Sequence, residues 1–387
     1  MVKAYIHAGL GKCGSSALQT SLSRNPVIES GNQIFKYIAI SEGGNILSGS
    51  DLTKHASKLP HGYVSSINGP KITSLPENAL NKLANNLDNI SPGNESLIIS
   101  EEGWFQHIEL FSQVNFFKKI NLNSTIIIYI RPPAEWLNSA WWQWGAWTGL
   151  PFPRWLRRNI NNIKWDELVK KWKETANVNK VIIRLLPEEI VTDFCQLLEI
   201  PLLETSRHNR GIPGSLLRLY QRQSFLRPGP HDSEIDFILA RYLKLNNDGT
   251  PWILKTNALE SIIEKTRKCC ENMMQFMDSE SSKNMVDDPR WWTATAYTDK
   301  KLQPVYPQKV NRKKLQNLSN SMDQVLAKLE SENREILPSN PLENDITTNS
   351  TESGINRHEN DEITALDKEI ITKIKQIIKL DKLIRSQ

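Results

Sequence analysis

The sequence predicts an α/β protein on a doubly wound parallel sheet, and three observations carry that prediction. Short apolar runs bounded by polar residues, SLIIS at 96–100 and STIIIYI at 124–130, have the pattern of strands buried on both faces of a parallel sheet. Helical stripes separate such runs, so strands and helices alternate through the first half of the chain. The first run, VKAYIHA at 2–8, passes through a glycine-studded turn into a helix.

Taken in order, GLGKCG at 9–14 follows the first strand, and a helix is predicted from Ser15 to about Arg24, with Leu18 and Leu22 one turn apart and Ser15 and Ser16 as caps. IFKYIAI at 34–40 predicts a second strand, and the Gly-, Ser- and Pro-rich stretch 41–75 an irregular excursion. Leu80, Leu83 and Leu87 mark a helix after Pro76. Trp104, Ile108, Phe111, Val114 and Phe117 predict one helix over 103–119. Arg131-Pro132-Pro133 opens a Trp-rich helix at about 133–147. KVIIRL at 180–185 reads as a strand and 187–199 as a helix with Pro187 near its start. From 205 to about 330 the signals are mainly helical, which makes 1–330 one domain. A flexible linker is expected at 331–364, because 337–362 has almost no large apolar residue with which to offset its ordering entropy. An amphipathic helix closes the chain at 365–387, with Leu366, Ile370, Ile374, Ile377 and Ile384 on one side. It is expected to dock on its own domain or to self-associate with another copy; a membrane surface or a foreign partner is the alternative.

Composition narrows the function classes. Forty-eight Lys and Arg against 43 Asp and Glu leave a charge of only +5 over 387 residues, which does not imply a nucleic-acid partner but fits arginines gathered around a small anion. No apolar run approaches the ~18 residues of a spanning helix, and the opening MVKAYIHAGLGK lacks the build of a signal peptide. The four cysteines form no CxxC pair. A soluble, cytoplasmic protein is therefore expected, in a reducing compartment and without a metal site.

The chemistry concentrates at Gly9-Leu10-Gly11-Lys12-Cys13-Gly14-Ser15-Ser16. A glycine turn from a strand into a helix aims backbone N–H groups at one anion, and the helix dipole adds to the attraction. Lys12 supplies a full charge; Ser15 and Ser16 supply hydroxyls. The order is not that of an NTP-binding P-loop, which places its lysine after the last glycine and directly before Ser or Thr. Here Lys12 precedes Gly14, and a purely structural turn is the plain alternative.

Read whole, YIHAGLGKCGSSALQ at 5–19 resembles the 5′-phosphosulfate loop of sulfotransferases that use 3′-phosphoadenosine-5′-phosphosulfate (PAPS). A second motif of that family, an Arg closing a later strand and a Ser eight positions on, is matched by Arg131 and Ser139 in RPPAEWLNS. ISEEG at 99–103 is similar to a strand-ending Ser-x-Glu of bacterial members, and IKWDELVKKWKE at 163–174, KVIIRLLPEEIVTDFCQLLEI at 180–200 and HNRGIP at 208–213 look like the later half of the domain. Cys13 replaces the usual Ser or Thr, and the Arg-Lys-Gly element of cytosolic animal and plant enzymes is not evident. The resemblance implies PAPS as co-substrate and no metal. It implies that Lys12 neutralises the leaving 5′-phosphate, with Cys13, Gly14, Ser15, Ser16 and Ala17 around its other oxygens. Arg131 and Ser139 would hold the 3′-phosphate.

An acceptor hydroxyl needs a general base. Glu102 leads, His55 or His61 in the excursion comes next, and Glu101 follows. Trp136, Trp141, Trp142, Trp144, Trp147 and Trp155 cannot all face one core, so some are expected to be exposed or to line a groove, where sugar rings stack; ordinary packing of Trp141 and Trp144 at helical spacing is the more frequent explanation. The acceptor expected is a small molecule or glycan, bound through a hydroxyl. Two rivals stand beside the sulfotransferase reading: a nucleotide kinase or NTPase, disfavoured by the displaced lysine, and an inactive sulfotransferase-like binding protein.

Overall fold

The computed structural model describes residues 1–204, 211–243, 250–306, 311–336 and 357–386. The chain divides into two compact units: Met1–Asn209 with Trp252–Gln303, and Arg210–Pro251 with Pro304–Gln387.

The first unit is a mixed α/β structure on a seven-stranded sheet. Its strands are β1 (Val2–His7), β2 (Val27–Ser30), β3 (Gln33–Ile40), β4 (Ile46–Ser48), β5 (Glu95–Ser100), β6 (Leu122–Ile130) and β7 (Val178–Leu185). The order is β2-β3-β5-β1-β6-β7, with β4 on β3. β3, β5, β1, β6 and β7 are parallel to their neighbours in that run, while β2 and β4 pair antiparallel with β3. The predicted parallel sheet is therefore mixed at one edge, because β2 reaches β3 through a two-residue turn and β3 reaches β4 through a single 3₁₀ turn, Glu42–Gly44, both too short for a parallel crossover. The apolar runs occupy its middle: Leu97, Ile98, Ile99 and Ile126 through Ile130 are fully buried.

Topology places the first loop. β1 lies between β5 and β6, so the turn leaving its carboxyl end is flanked by the ends of both. His7 pairs with Ser100 on one side and Ile127 on the other. β6 continues past that level to Ile130, which carries Arg131 roughly 13 Å further along the strand direction.

Three stretches differ from expectation. The excursion 41–75 holds β4 and two helices, Gly49–Lys58 and Gly69–Thr73. In the first, Leu52 and Ala56 are buried at helical spacing amid Gly, Ser and Lys. The stripe over 103–119 is broken into a 3₁₀ turn Glu102–His107 and helices Ile108–Gln113 and Phe116–Lys119, with Asn115 at φ +51° interrupting it. The Trp-rich helix stops at Gln143, and a 3₁₀ turn Gly145–Trp147 follows. A Cβ on Gly145 would lie 2.4 Å from Trp141 and 2.6 Å from Trp155, so the indoles pack directly on its backbone.

In the second unit, helices Gly214–Arg222 and Glu234–Tyr242 accompany the long helices Arg312–Ile336 and Arg357–Arg385. The two long helices pack together through Leu315, Met322 and Leu329 on one and Ile370, Ile374 and Ile377 on the other. Arg218 reaches Asp367 at 2.7 Å, and Arg241 reaches Asp381 at 2.8 Å. The closing helix begins at Arg357 and the preceding one runs to Ile336, so the ends of the expected linker 331–364 are helical. Its middle, 337–356, lies outside the described residues, as does the His208–Arg210 part of HNRGIP.

Candidate active site

Helix Ser15–Arg24 starts where the sequence places it, with Gly14 at its N-cap in the left-handed region (φ +85°). A Cβ there would also lie 3.0 Å from Ile190 Cδ1, so both backbone and space call for glycine. Lys12 is left-handed too, at φ +69°, a conformation that costs a non-glycine residue energy and that clusters at ligand clamps. No side chain caps the helix. Ser15 Oγ is buried with no hydrogen-bond partner among the described residues, a cost that an anion at the helix start would relieve. The Cys13 side chain is buried, and burial pushes its thiol up to about 12; the residue offers the loop its backbone, not a nucleophile. The Ala17 N–H donates to Gly14 O at 3.0 Å.

The loop is held from above by helix Pro133–Gln143 and the residue after it. Trp136 Nε1 donates to Gly11 O at 2.8 Å, and Lys12 Nζ donates to Gln143 Oε1 at 3.2 Å. A Cβ on Gly11 would lie 2.7 Å from Trp144 Cη2 and 3.7 Å from Glu102 Oε1, so the indole edge, the Glu102 carboxylate and the loop share one corner. Of the clustered indoles, Trp136, Trp141, Trp142 and Trp155 are buried, while Trp144 and Trp147 are half-buried.

The two predicted clusters meet. Arg131 Nη1 donates to Lys12 O at 3.3 Å, and Arg131 Nε is buried with no hydrogen-bond partner among the described residues. The Cys13 thiol between them feels the charges of Arg131, Glu102 and Lys12. Arg131 Nη2 also pairs with Glu135 Oε2 at 2.9 Å, and Glu135 Oε1 pairs with Arg290 Nη1 at 3.2 Å. Ser139 lies half-buried one helical turn beyond Glu135.

On the β5 side, Glu101 is nearly buried, and burial, helped by the charge of Glu102, raises its carboxyl to about 7 against hydrogen bonds from Gly103 N–H and Ser65. Tyr63 stands close by: its hydroxyl is 3.5 Å from Ser16 Oγ, its ring 4.3 Å from that of His61, and it feels both glutamates. Burial raises its phenol to about 12. His55 lies exposed on helix Gly49–Lys58. Beneath the loop, Ser100 Oγ is bound by His7 Nδ1 at 2.8 Å and Gln19 Nε2 at 3.1 Å. Burial holds the His7 imidazole down at about 4, and its Nε2 has no partner among the described residues. No group of three or more His, Cys, Asp or Glu among the described residues is arranged to hold a metal. No helix among them is long and apolar enough to cross a membrane.

Sequence reasoning missed Gln143, Glu135, Arg290 and Tyr63, and named Trp136 and Trp144 only as members of the indole cluster. Only Glu135 left a local signal, four positions after Arg131; the others arrive through tertiary packing. No protein-family model and no curated protein matches the chain. Among solved structures it is similar to a sulfotransferase from Alicyclobacillus acidocaldarius, at 15% identity and a TM-score of 0.34, over 62% of this chain and 96% of that one.

Proposed function

We propose that the first unit is a PAPS-dependent sulfotransferase acting on a hydroxyl acceptor. The observation that carries this reading is the meeting of Arg131 with the Lys12 loop, Nη1 to carbonyl at 3.3 Å, which brings two separated cationic motifs within the span of one bisphosphorylated nucleotide. Lys12, the loop N–H groups and Ser15 and Ser16 take the 5′-phosphosulfate; Arg131 and Ser139 take the 3′-phosphate. The acceptor oxygen attacks sulfur as the bond from sulfur to the bridging oxygen breaks. Lys12 neutralises the charge that develops on the leaving 5′-phosphate, and Glu102 receives the acceptor's proton. Catalysis of this kind is positioning and charge stabilisation.

Glu102 is favoured as base because its carboxylate shares a corner with Gly11 and Trp144. Trp144, half-buried there, gives a sugar ring an apolar face to pack on, which supports a carbohydrate or glycoconjugate acceptor. Thermal denaturation tests the donor assignment. The desulfonated product, 3′-phosphoadenosine 5′-phosphate (PAP), should raise the melting temperature without magnesium, while ATP with magnesium does little. An equal or larger response to magnesium–ATP would replace the reading with a kinase or NTPase.

A further inference from the structure

The Arg131 end of the site already holds an anion of the protein's own. Glu135 lies in the first turn of helix Pro133–Gln143, and its two oxygens serve different arginines: Oε2 is 2.9 Å from Arg131 Nη2 and Oε1 is 3.2 Å from Arg290 Nη1. Arg290 comes from the turn Pro289–Trp291, far along the chain, and Asp288 Oδ2 holds its Nη2 at 2.8 Å. The Glu135 side chain is 15% exposed and Arg131 23%, so this pair is little screened by water. The Tyr297 phenol, buried beside them, feels the charges of Glu135, Arg290, Asp288 and Arg131.

One anion bridging two guanidinium groups is the arrangement a phosphate monoester takes, and phosphate brings more charge and more acceptor oxygens than a carboxylate. A phosphate and the Glu135 carboxylate cannot both sit between Arg131 and Arg290, since like charges at that separation repel strongly. Building on the donor assignment above, we propose that Glu135 is an internal competitor: it keeps the two arginines in register before the nucleotide arrives, and the 3′-phosphate displaces it. Weaker anions then fail to enter, and a nucleotide without a 3′-phosphate leaves the ion pairs intact and gains nothing from them.

The test is titration calorimetry of PAP and AMP into the wild type, Glu135→Gln and Glu135→Ala, each checked for an unchanged melting transition without ligand. Removing the competing charge should tighten PAP by about tenfold, the scale of one charge-assisted contact no longer broken, while AMP changes by less than about threefold. Glu135→Ala keeps the test open if the glutamine variant fails to fold. Equal or weaker PAP binding in the folded variants overturns the proposal and makes Glu135 a support for Arg131. A wild type that binds no PAP overturns the donor assignment itself.

Discussion

At the Lys12 end of the site, the groups available to an anion are mostly backbone, set by Gly14 and Lys12 in left-handed conformations and by an uncapped helix start. At the Arg131 end they are long side chains, already engaged by Glu135 and Asp288. The first end holds its lysine on a neutral amide, Gln143 Oε1, at 3.2 Å, in the corner it shares with the Glu102 carboxylate. The second is charged but internally compensated. The contrast separates two tasks: a stiff cradle suits the point where charge develops during reaction, and a compensated clamp suits recognition of a ground-state phosphate.

The largest effect is expected where the contrast is sharpest. Lys12→Ala should lower sulfuryl transfer by at least about 10²–10³-fold, the scale of losing one preorganised group at a developing charge. A loss confined to the donor KM would assign Lys12 to binding alone and erase the difference between the ends. Next comes Glu101, at the margin of the Lys12 end. Its folded carboxyl titrates at about 7, above the ordinary carboxylate range. The folded protein thus binds more protons than the unfolded chain between those values, and stability falls as pH rises through that window. Glu101→Gln should stabilise the protein at pH 9 by on the order of 2–3 kcal/mol and not at pH 4, read as a pH-dependent melting difference. A pH-independent difference would mean that Glu101 is ionised normally. The smallest effect is Trp136→Phe, which leaves Gly11 O without its 2.8 Å donor and should cost about 1 kcal/mol. An unchanged melting temperature would show that the loop does not depend on that anchor.

The two ends were also unequally legible in the sequence. The cradle is local: strand, glycines, Lys12 and the helix Ser15–Arg24 are contiguous, and the observed helix matches the range expected from Leu18 and Leu22. Arg131 was legible because it directly follows a run of apolar residues that ends at Ile130. What surrounds them was not, for a physical reason. Trp136 reaches Gly11 across 125 positions and Gln143 reaches Lys12 across 131, and periodicity carries no information about such contacts. The helix Gly49–Lys58 escaped because only Leu52 and Ala56 mark its buried face among Gly, Ser, His and Lys. The break at Asn115 escaped because the apolar spacing runs on through it, while the backbone reverses hand there.

Titration of PAP and AMP into the wild type and Arg131→Ala bears on the central claim most directly, since the nucleotides differ at the 3′ position alone. The account predicts that Arg131→Ala weakens PAP by about 10–100-fold, the scale of charged hydrogen bonds to one phosphate, and leaves AMP nearly unchanged. Equal losses for both ligands, or no loss for PAP, would show that Arg131 and the Lys12 loop do not grip one nucleotide.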